Sequence, residues 1–435
     1  MASLRSRITA AFRKSAPSAL APPDHYDQTE VAEMLREIGL AMVEVSAPVQ
    51  VVEDRLLRIA ARYTTAPVQA AVLPTMLFIQ IGNTEHEMGN TDQRSGMLDM
   101  AARIDEIAEL AMAAAITPSD AVAAVRAART RAPRFGPALT TLGYAVTTVG
   151  FGMMIEPTWS ALPAHLFLGL VVGLIVQISR PFPNLAPIVP TLSAVVVTLL
   201  ATWFVADVAH DGLLRVISPA LIATLPGMAL VVGAIELAGG RIVSGASRTV
   251  YGIAQLALLV YGLVLGVNIA GQVAPQAPSA PMGPWSLYAS IVVIAVGLYF
   301  YLSAPRGSLI WLLLTIAVAT LTQTAAGLVA NSAHSGFIAA AVAMPFALLA
   351  SRIKSAPPVT VLTLAAFWSL VPGQLTFMSV SRRAAGDYFN TAGIGVAGAA
   401  ILSIALGTLV GWSLVRTAAP QPARPSSPSE VMAGR

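Results

Sequence analysis

LPGMALVVGAIELAGGRIVSGASR, residues 225–248, is the stretch whose reading decides the fold. Pro226 and Gly227 interrupt an apolar run, Glu236 stands near its far end, and Gly239, Gly240, Arg241, Ser244, Gly245 and Arg248 predict a polar turn after it. A helix break inside hydrocarbon frees backbone groups that lipid cannot pair, so breaks occur where those groups face protein or a water-filled cavity. An ionisable side chain at such depth costs about 2.5–3.5 kcal/mol on insertion scales and by default marks a functional site with a partner nearby. Arg241 and Arg248 are the candidate partners of Glu236.

Outward from this stretch the apolar character continues in both directions. The 435-residue chain is 56% hydrophobic and 11% charged with a mean hydropathy of +0.71, which places it in the membrane class. Ten apolar segments fall at about 137–155, 161–179, 185–206, 216–238, 249–271, 286–302, 308–330, 336–350, 356–378 and 391–415. Most are near the ~20 residues that a bilayer crossing needs. The net charge of +4 and pI near 9.6 come from scattered Arg residues rather than a basic patch, which argues against nucleic-acid binding. With no Cys and five dispersed His, no disulfide, metal site or other cofactor is expected. There is no nucleotide-phosphate motif, so any pumping must draw on an ion gradient. The N-terminus carries Arg5, Arg7, Arg13 and Lys14 without the apolar core of a signal peptide, so it is expected to stay in the cytosol.

Before the first span lies a different composition. Residues 1–27 read as a disordered tail, and residues 28–135 as a small α+β cytosolic domain. Its helical stripes are Val31, Leu35, Ile38, Met42 and Val45 after a Thr29 cap, then Val52, Leu56, Ile59 and Tyr63 after a Ser46 cap with Pro48 in the first turn. Two strands flank Pro74, residues 82–96 read as a Gly/Asn-rich loop, a helix runs from about Met97 to Ala114, and Thr117 starts another. Asp54, Glu85, His86, Glu87, Asp92 and Asp99 read as solvated surface rather than a catalytic set.

Arg and Lys fall mainly in alternate loops, which puts both termini inside and the loop 272–284 outside. Arg382 and Arg383 run against that rule. The Pro226-Gly227 break recurs five spans later as Pro372-Gly373-Gln374, again followed by a polar turn and a glycine-rich apolar helix. Five spans per unit is an odd number, so the halves must insert in opposite senses, which is the inverted-repeat plan of secondary transporters. The plainer alternative is that both Pro-Gly pairs only kink packed helices. Gln177, Gln255, Asn268, Gln323, Asn331 and His165 read as packing or interhelical bonding positions, and Gly169, Gly173, Gly393, Gly395 and Gly398 as close-packing surfaces.

The run from Glu236 to Arg248 is similar to the E-L-x-x-G-x-x-x-S-G-x-x-R pattern of the bacterial threonine/serine exporter family. AAVLPTMLFIQIG, AAAITPSDAVAAVRAARTRAPRFG and SAPPVTVLTLAAFWSLVPG extend the resemblance over roughly residues 30–415. Met378 stands about where members often place an Arg after the second Pro-Gly. The resemblance implies proton-driven export of threonine and serine through a bacterial cytoplasmic membrane, while split relatives are linked to dicarboxylate export. The expected organisation is an α-helical polytopic membrane protein with membrane repeats at 136–271 and 286–415 and a tail at 416–435. The expected substrate and ion pathway comprises Pro226, Gly227, Glu236, Gly240, Arg241, Ser244, Gly245, Arg248, Pro372, Gly373, Gln374, Arg382 and Arg383. Its partners are a small amino acid, protons and the lipid bilayer, with a homo-oligomer left open. Rival readings are a membrane-anchored hydrolase and a passive channel.

Overall fold

The computed structural model describes residues 18–82, 84–90, 97–155, 157–205, 213–271, 280–329, 332–370 and 392–417. Helix α1 (Gln28–Glu44) is capped by Asp27, whose carboxylate accepts the Thr29 N–H at 3.2 Å. The expected Thr29 cap is thus displaced by two residues, because an aspartate oxygen reaches the first free N–H groups. Helix α2 (Val49–Tyr63) begins after Pro48. Ser46, expected to cap it, instead sits at a φ of 63° in the tight link between α1 and α2. The predicted stripes Val31, Leu35, Ile38, Met42 and Val45, and Val52, Leu56, Ile59 and Tyr63, are all buried.

Strands β1 (Val68–Val72), β2 (Met76–Ile81) and β3 (Thr84–Asn90) form an antiparallel sheet in that order. Leu77, Ile79 and Ile81 face the core as their alternation predicts. The third strand corrects the expected loop at 82–96 over residues 84–90, and residues 91–96 lie outside the described residues. Ile81 pairs with Thr84, so Gly82, at a φ of 62°, opens a two-residue hairpin of the kind that Gly-Asn pairs favour. Helices α3 (Leu98–Met112) and α4 (Pro118–Thr130) complete this α+β unit, α4 being capped by the Thr117 hydroxyl.

Tyr63 ties the end of α2 to the link before α4, donating its hydroxyl to the Ile116 carbonyl at 2.7 Å. Burial, with Tyr26 beside it, pushes that hydroxyl up to about 12, so it remains a donor at any working pH. Tyr63→Phe leaves the carbonyl without its partner and should cost about 1–3 kcal/mol. A lower thermal midpoint with unchanged secondary structure is the expected readout; an unchanged midpoint would mean that water replaces the hydroxyl.

The apolar part follows as α5 (Pro137–Ile155), α6 (Ala161–Ser179), α7 (Val189–Leu200, continued by the π-helical Ala201–Val205), α8 (Leu213–Leu221), α9 (Gly227–Ala238) and α10 (Ile242–Ala270). Then come α11 (Trp285–Tyr301), α12 (Leu309–Ala326), α13 (Ser332–Ala350), α14 (Val359–Leu370) and α15 (Ala392–Thr417). Among the described residues, four helices are long and apolar enough to cross a membrane, a fifth candidate is the bent α8–α9 pair, and five shorter apolar helices accompany them. Helix α10 starts at Ile242 rather than near residue 249. The expected polar turn therefore ends at Arg241, and Ser244, Gly245 and Arg248 ride on helix.

Glycines set the helix contacts. A Cβ on Gly143 would stand 2.5 Å from the Tyr301 nitrogen, and one on Gly150 2.8 Å from that of Ile294, so α5 and α11 run antiparallel at backbone contact. Gly262 and Gly266 bring α10 parallel onto α7 at Thr191 and Thr198, while Gly407 and Gly411 bring α15 parallel onto α13 at Phe337 and Met344. Gly169 packs α6 on Thr148 and Ala145 as expected. At Gly398 nothing among the described residues lies within 4 Å of its Cβ position.

The α+β unit sits against one end of these helices. The Leu98 N–H bonds the Leu302 carbonyl at 2.9 Å, Arg134 donates to the Tyr299 hydroxyl at 2.9 Å and the Ala304 carbonyl at 2.8 Å, and Thr360 donates to Asp105 at 3.1 Å. Asp105 is also paired with the buried Arg55. At the opposite end the link after α5 meets the link before α11, through a Thr158–Pro281 bridge and the Trp159–Trp285 ring contact at 5.5 Å.

Candidate functional site

The break expected at Pro226 is present, and its cause is local. A residue before proline is driven out of the helical region by its clash with the ring, and Leu225 is extended, at φ −68° and ψ 136°. The chain ends α8 in a 3-10 turn at Ile222–Thr224 and restarts as α9 at Gly227, with a 62° bend between the two helical pieces. Pro226 caps α9 without any side-chain hydrogen bond. The first N–H groups of α9 are thus left to whatever lies in front of them.

Glu236 is fully buried at the other end of α9. Its Oε1 accepts the Val49 N–H at 3.0 Å and lies 3.2 Å from Arg248 Nε. The Arg248 contact is one of charge, since its Nε is not aligned for a hydrogen bond. Val49 opens α2, where a free N–H and the positive helix end both favour a carboxylate. Pro48 has no side-chain acceptor to offer there. The carboxylate of a membrane helix therefore serves as the cap of a helix 187 residues earlier in the chain. Glu236 Oε2 and Arg248 Nη2 are buried with no hydrogen-bond partner among the described residues.

Arg241 does not pair with Glu236. Its guanidinium reaches Glu53, one turn further along α2, and Gly239 packs against Gln50 between these two contacts. Helix α2 thus lies along the α9–α10 link through Val49, Gln50 and Glu53, none of which the sequence singled out. Gly240, at a φ of 78°, closes α9 in a Schellman turn: Arg241 N–H bonds the Glu236 carbonyl at 2.8 Å and Gly240 N–H that of Leu237 at 3.1 Å. Gly245 lets α10 cross α9, since a Cβ there would stand 2.6 Å from the Leu237 nitrogen. Ser244 is buried in the same crossing.

Two cavities flank the start of α9, and Met228 lines both. One, of about 570 Å³, runs between the α+β unit and Arg248; the other, of about 210 Å³, lies toward Asp54, Thr360 and Trp412. Pro372, Gly373, Gln374, Arg382 and Arg383 lie outside the described residues. His165 is fully buried, with its ring against Gly152, consistent with a packing role. Of the acidic residues read as surface, Asp99 pairs with Arg103 at 3.2 Å. No group of three or more His, Asp or Glu among the described residues is arranged to hold a metal ion.

A family model described as “Putative threonine/serine exporter” matches residues 33–270, more than half of the chain. The match runs from α1 through α10 and contains the break, Glu236 and Arg248. No curated protein and no solved structure matches the chain. On the strength of the match through its α+β unit and broken helix, the chain belongs to the threonine/serine exporter family.

Proposed function

We propose that this protein is a secondary exporter of threonine and serine, driven by protons across a bacterial cytoplasmic membrane. The observation that carries the reading is the family match over a helix that is broken at Pro226 and buries Glu236 against Arg248 of the next helix. A broken helix offers a carboxylate unpaired N–H groups and a positive dipole end, and a buried carboxylate is the group a coupling proton needs.

Two further proposals concern architecture. The first is that the ten apolar segments form two five-helix inverted repeats. In support, the third and fifth helices of each half pack parallel through paired glycines, α7 with α10 and α13 with α15, and the two first helices, α5 and α11, meet antiparallel as inversion requires. The second is that the α+β unit, residues 28–135, is cytosolic. In support, the links near Arg241, Leu302 and Thr360 all contact that unit, while the links expected outside meet each other at the far end. On this plan Pro372, Gly373, Gln374, Arg382 and Arg383 belong to the second half of the pathway.

The test is export from cells loaded with threonine- and serine-containing dipeptides, with and without the gene. Faster loss of both amino acids, stopped by a protonophore, is expected. Efflux of succinate but not threonine would replace the substrate, and flux indifferent to the protonophore would favour a channel.

A further inference from the structure

The cavity of about 570 Å³ in front of α9 has walls from two parts of the molecule. Glu44, Ser46 and Thr75 come from the α+β unit; Met228, Ser247 and Arg248 come from α9 and α10. Arg248 is only 6% exposed. Among the described residues its charge contact is with Glu236, made through Nε, and its Nη2 has no hydrogen-bond partner. A buried guanidinium nitrogen without an acceptor is costly, and a guanidinium fork matches a carboxylate. The same cavity is lined by Met228 and Ala229, in the first turn of α9, whose N–H groups have neither an intrahelical partner nor a capping side chain. Two independent sets of hydrogen-bond donors, one on a side chain and one on the backbone, therefore border one space.

We infer that this cavity binds the carboxylate of a small amino acid, with Arg248 as its anchor and the first turn of α9 as its second donor. Glu44, held by Arg129 at 3.0 Å, puts an acceptor on the domain side opposite the donors, an arrangement that suits a zwitterion better than a dianion. Its volume lies within the ~300–1,000 Å³ usual for small-molecule sites, which leaves room for water beside so small a ligand. Ser46, held at a φ of 63°, lines this space, an unfavourable backbone state for a non-glycine residue of the kind that collects at binding sites. The α+β unit thereby forms half of a binding site and is part of the transport machinery. This deepens the transport reading and rests on it.

The experiment is calorimetric titration of the purified full-length protein with L-threonine, with threoninol, which lacks the carboxylate, and with succinate. Threonine should bind and threoninol should not. Arg248→Lys removes the fork, and Thr75→Trp fills the cavity from the exposed tip of the α+β unit while leaving Glu236 and Arg248 themselves unsubstituted. Each should weaken threonine binding by about tenfold or more, the size of one lost good contact, with the thermal midpoint of Thr75→Trp unchanged. Wild-type affinity in both variants would overturn the site and leave export standing. Absence of any carboxylate binding by a protein that still exports threonine from cells would do the same. Binding of succinate in place of threonine, lost in both variants, would keep the carboxylate site and overturn the substrate reading.

Discussion

Replacing Gly297 by leucine is expected to leave almost no assembled protein. A Cβ at Gly297 would stand 2.8 Å from Thr147 Cα, with the Thr147 backbone nitrogen closer still. Backbone cannot rotate away as a side chain can, so α5 and α11 would have to separate. The same seam depends on contact at Gly143 against Tyr301 and at Gly150 against Ile294, and separation at one point loosens all of them. Helices in a membrane associate through close packing of small residues rather than through a hydrophobic driving force, so nothing compensates for the lost seam. Because the Cβ alone already meets backbone, the whole leucine side chain should cost well beyond the ~1–3 kcal/mol usual for overpacking, enough to exhaust a total stability near the low end of the usual range of about 5–15 kcal/mol. Gly136→Leu is the control, because among the described residues no atom lies within 4 Å of its Cβ position. Size-exclusion profiles of the two solubilised variants should differ sharply, with Gly136→Leu eluting as a single peak and Gly297→Leu aggregated. A single normal peak for Gly297→Leu would show that α5 and α11 do not meet as described.

What the sequence revealed and what it hid divide along a physical line. The stripes Val31-Leu35-Ile38-Met42 and Val52-Leu56-Ile59-Tyr63 were legible because burial repeats with the helical period, a local property. The break at Pro226 was legible for the same reason, since proline acts on its immediate neighbour. Gly240 was legible as part of a polar turn, and the structure shows that turn closing α9. The β3 strand was missed because TEHEMGN is polar and has little strand propensity; Gly82-Asn83 was the available signal for the hairpin. No local pattern announces that Glu236 meets Val49 or that Arg241 meets Glu53. Both contacts join residues far apart in the chain, and charge complementarity alone permitted Arg241 as a partner for Glu236 just as well. The structure separates the two arginines: Arg248 is buried with Glu236, and Arg241, whose side chain is 44% exposed, holds the α+β unit.

Glu236→Gln is expected to abolish gradient-driven export while sparing exchange of threonine across a membrane with no proton gradient. Gln keeps an acceptor for the Val49 N–H, so the cap of α2 survives, but the charge facing Arg248 disappears. Removing one member of a buried ion pair costs about 3–5 kcal/mol because the other charge is left uncompensated, so the amount of folded protein should fall and flux must be normalised to it. Two roles for the carboxylate remain distinguishable after that correction. As a static partner, Glu236 only holds α2 and Arg248 in place, and its loss lowers driven export and exchange in step with abundance. As the proton carrier it alternates between Arg248 and a proton, with Oε2, which has no partner among the described residues, as the oxygen open to receive it. A substrate carboxylate on Arg248 would then replace the Glu236 charge at the moment the proton arrives, which links the two fluxes through one guanidinium. Gln cannot take part in that exchange, yet it leaves Arg248 available to substrate, so exchange continues and coupling is lost. The deciding measurement is threonine flux into proteoliposomes with and without an imposed pH gradient, per folded protein. Driven transport at the wild-type rate in Glu236→Gln would eliminate the proton role, and a proportional fall of both activities would leave Glu236 as the cap of α2 and the counter-charge of Arg248 alone.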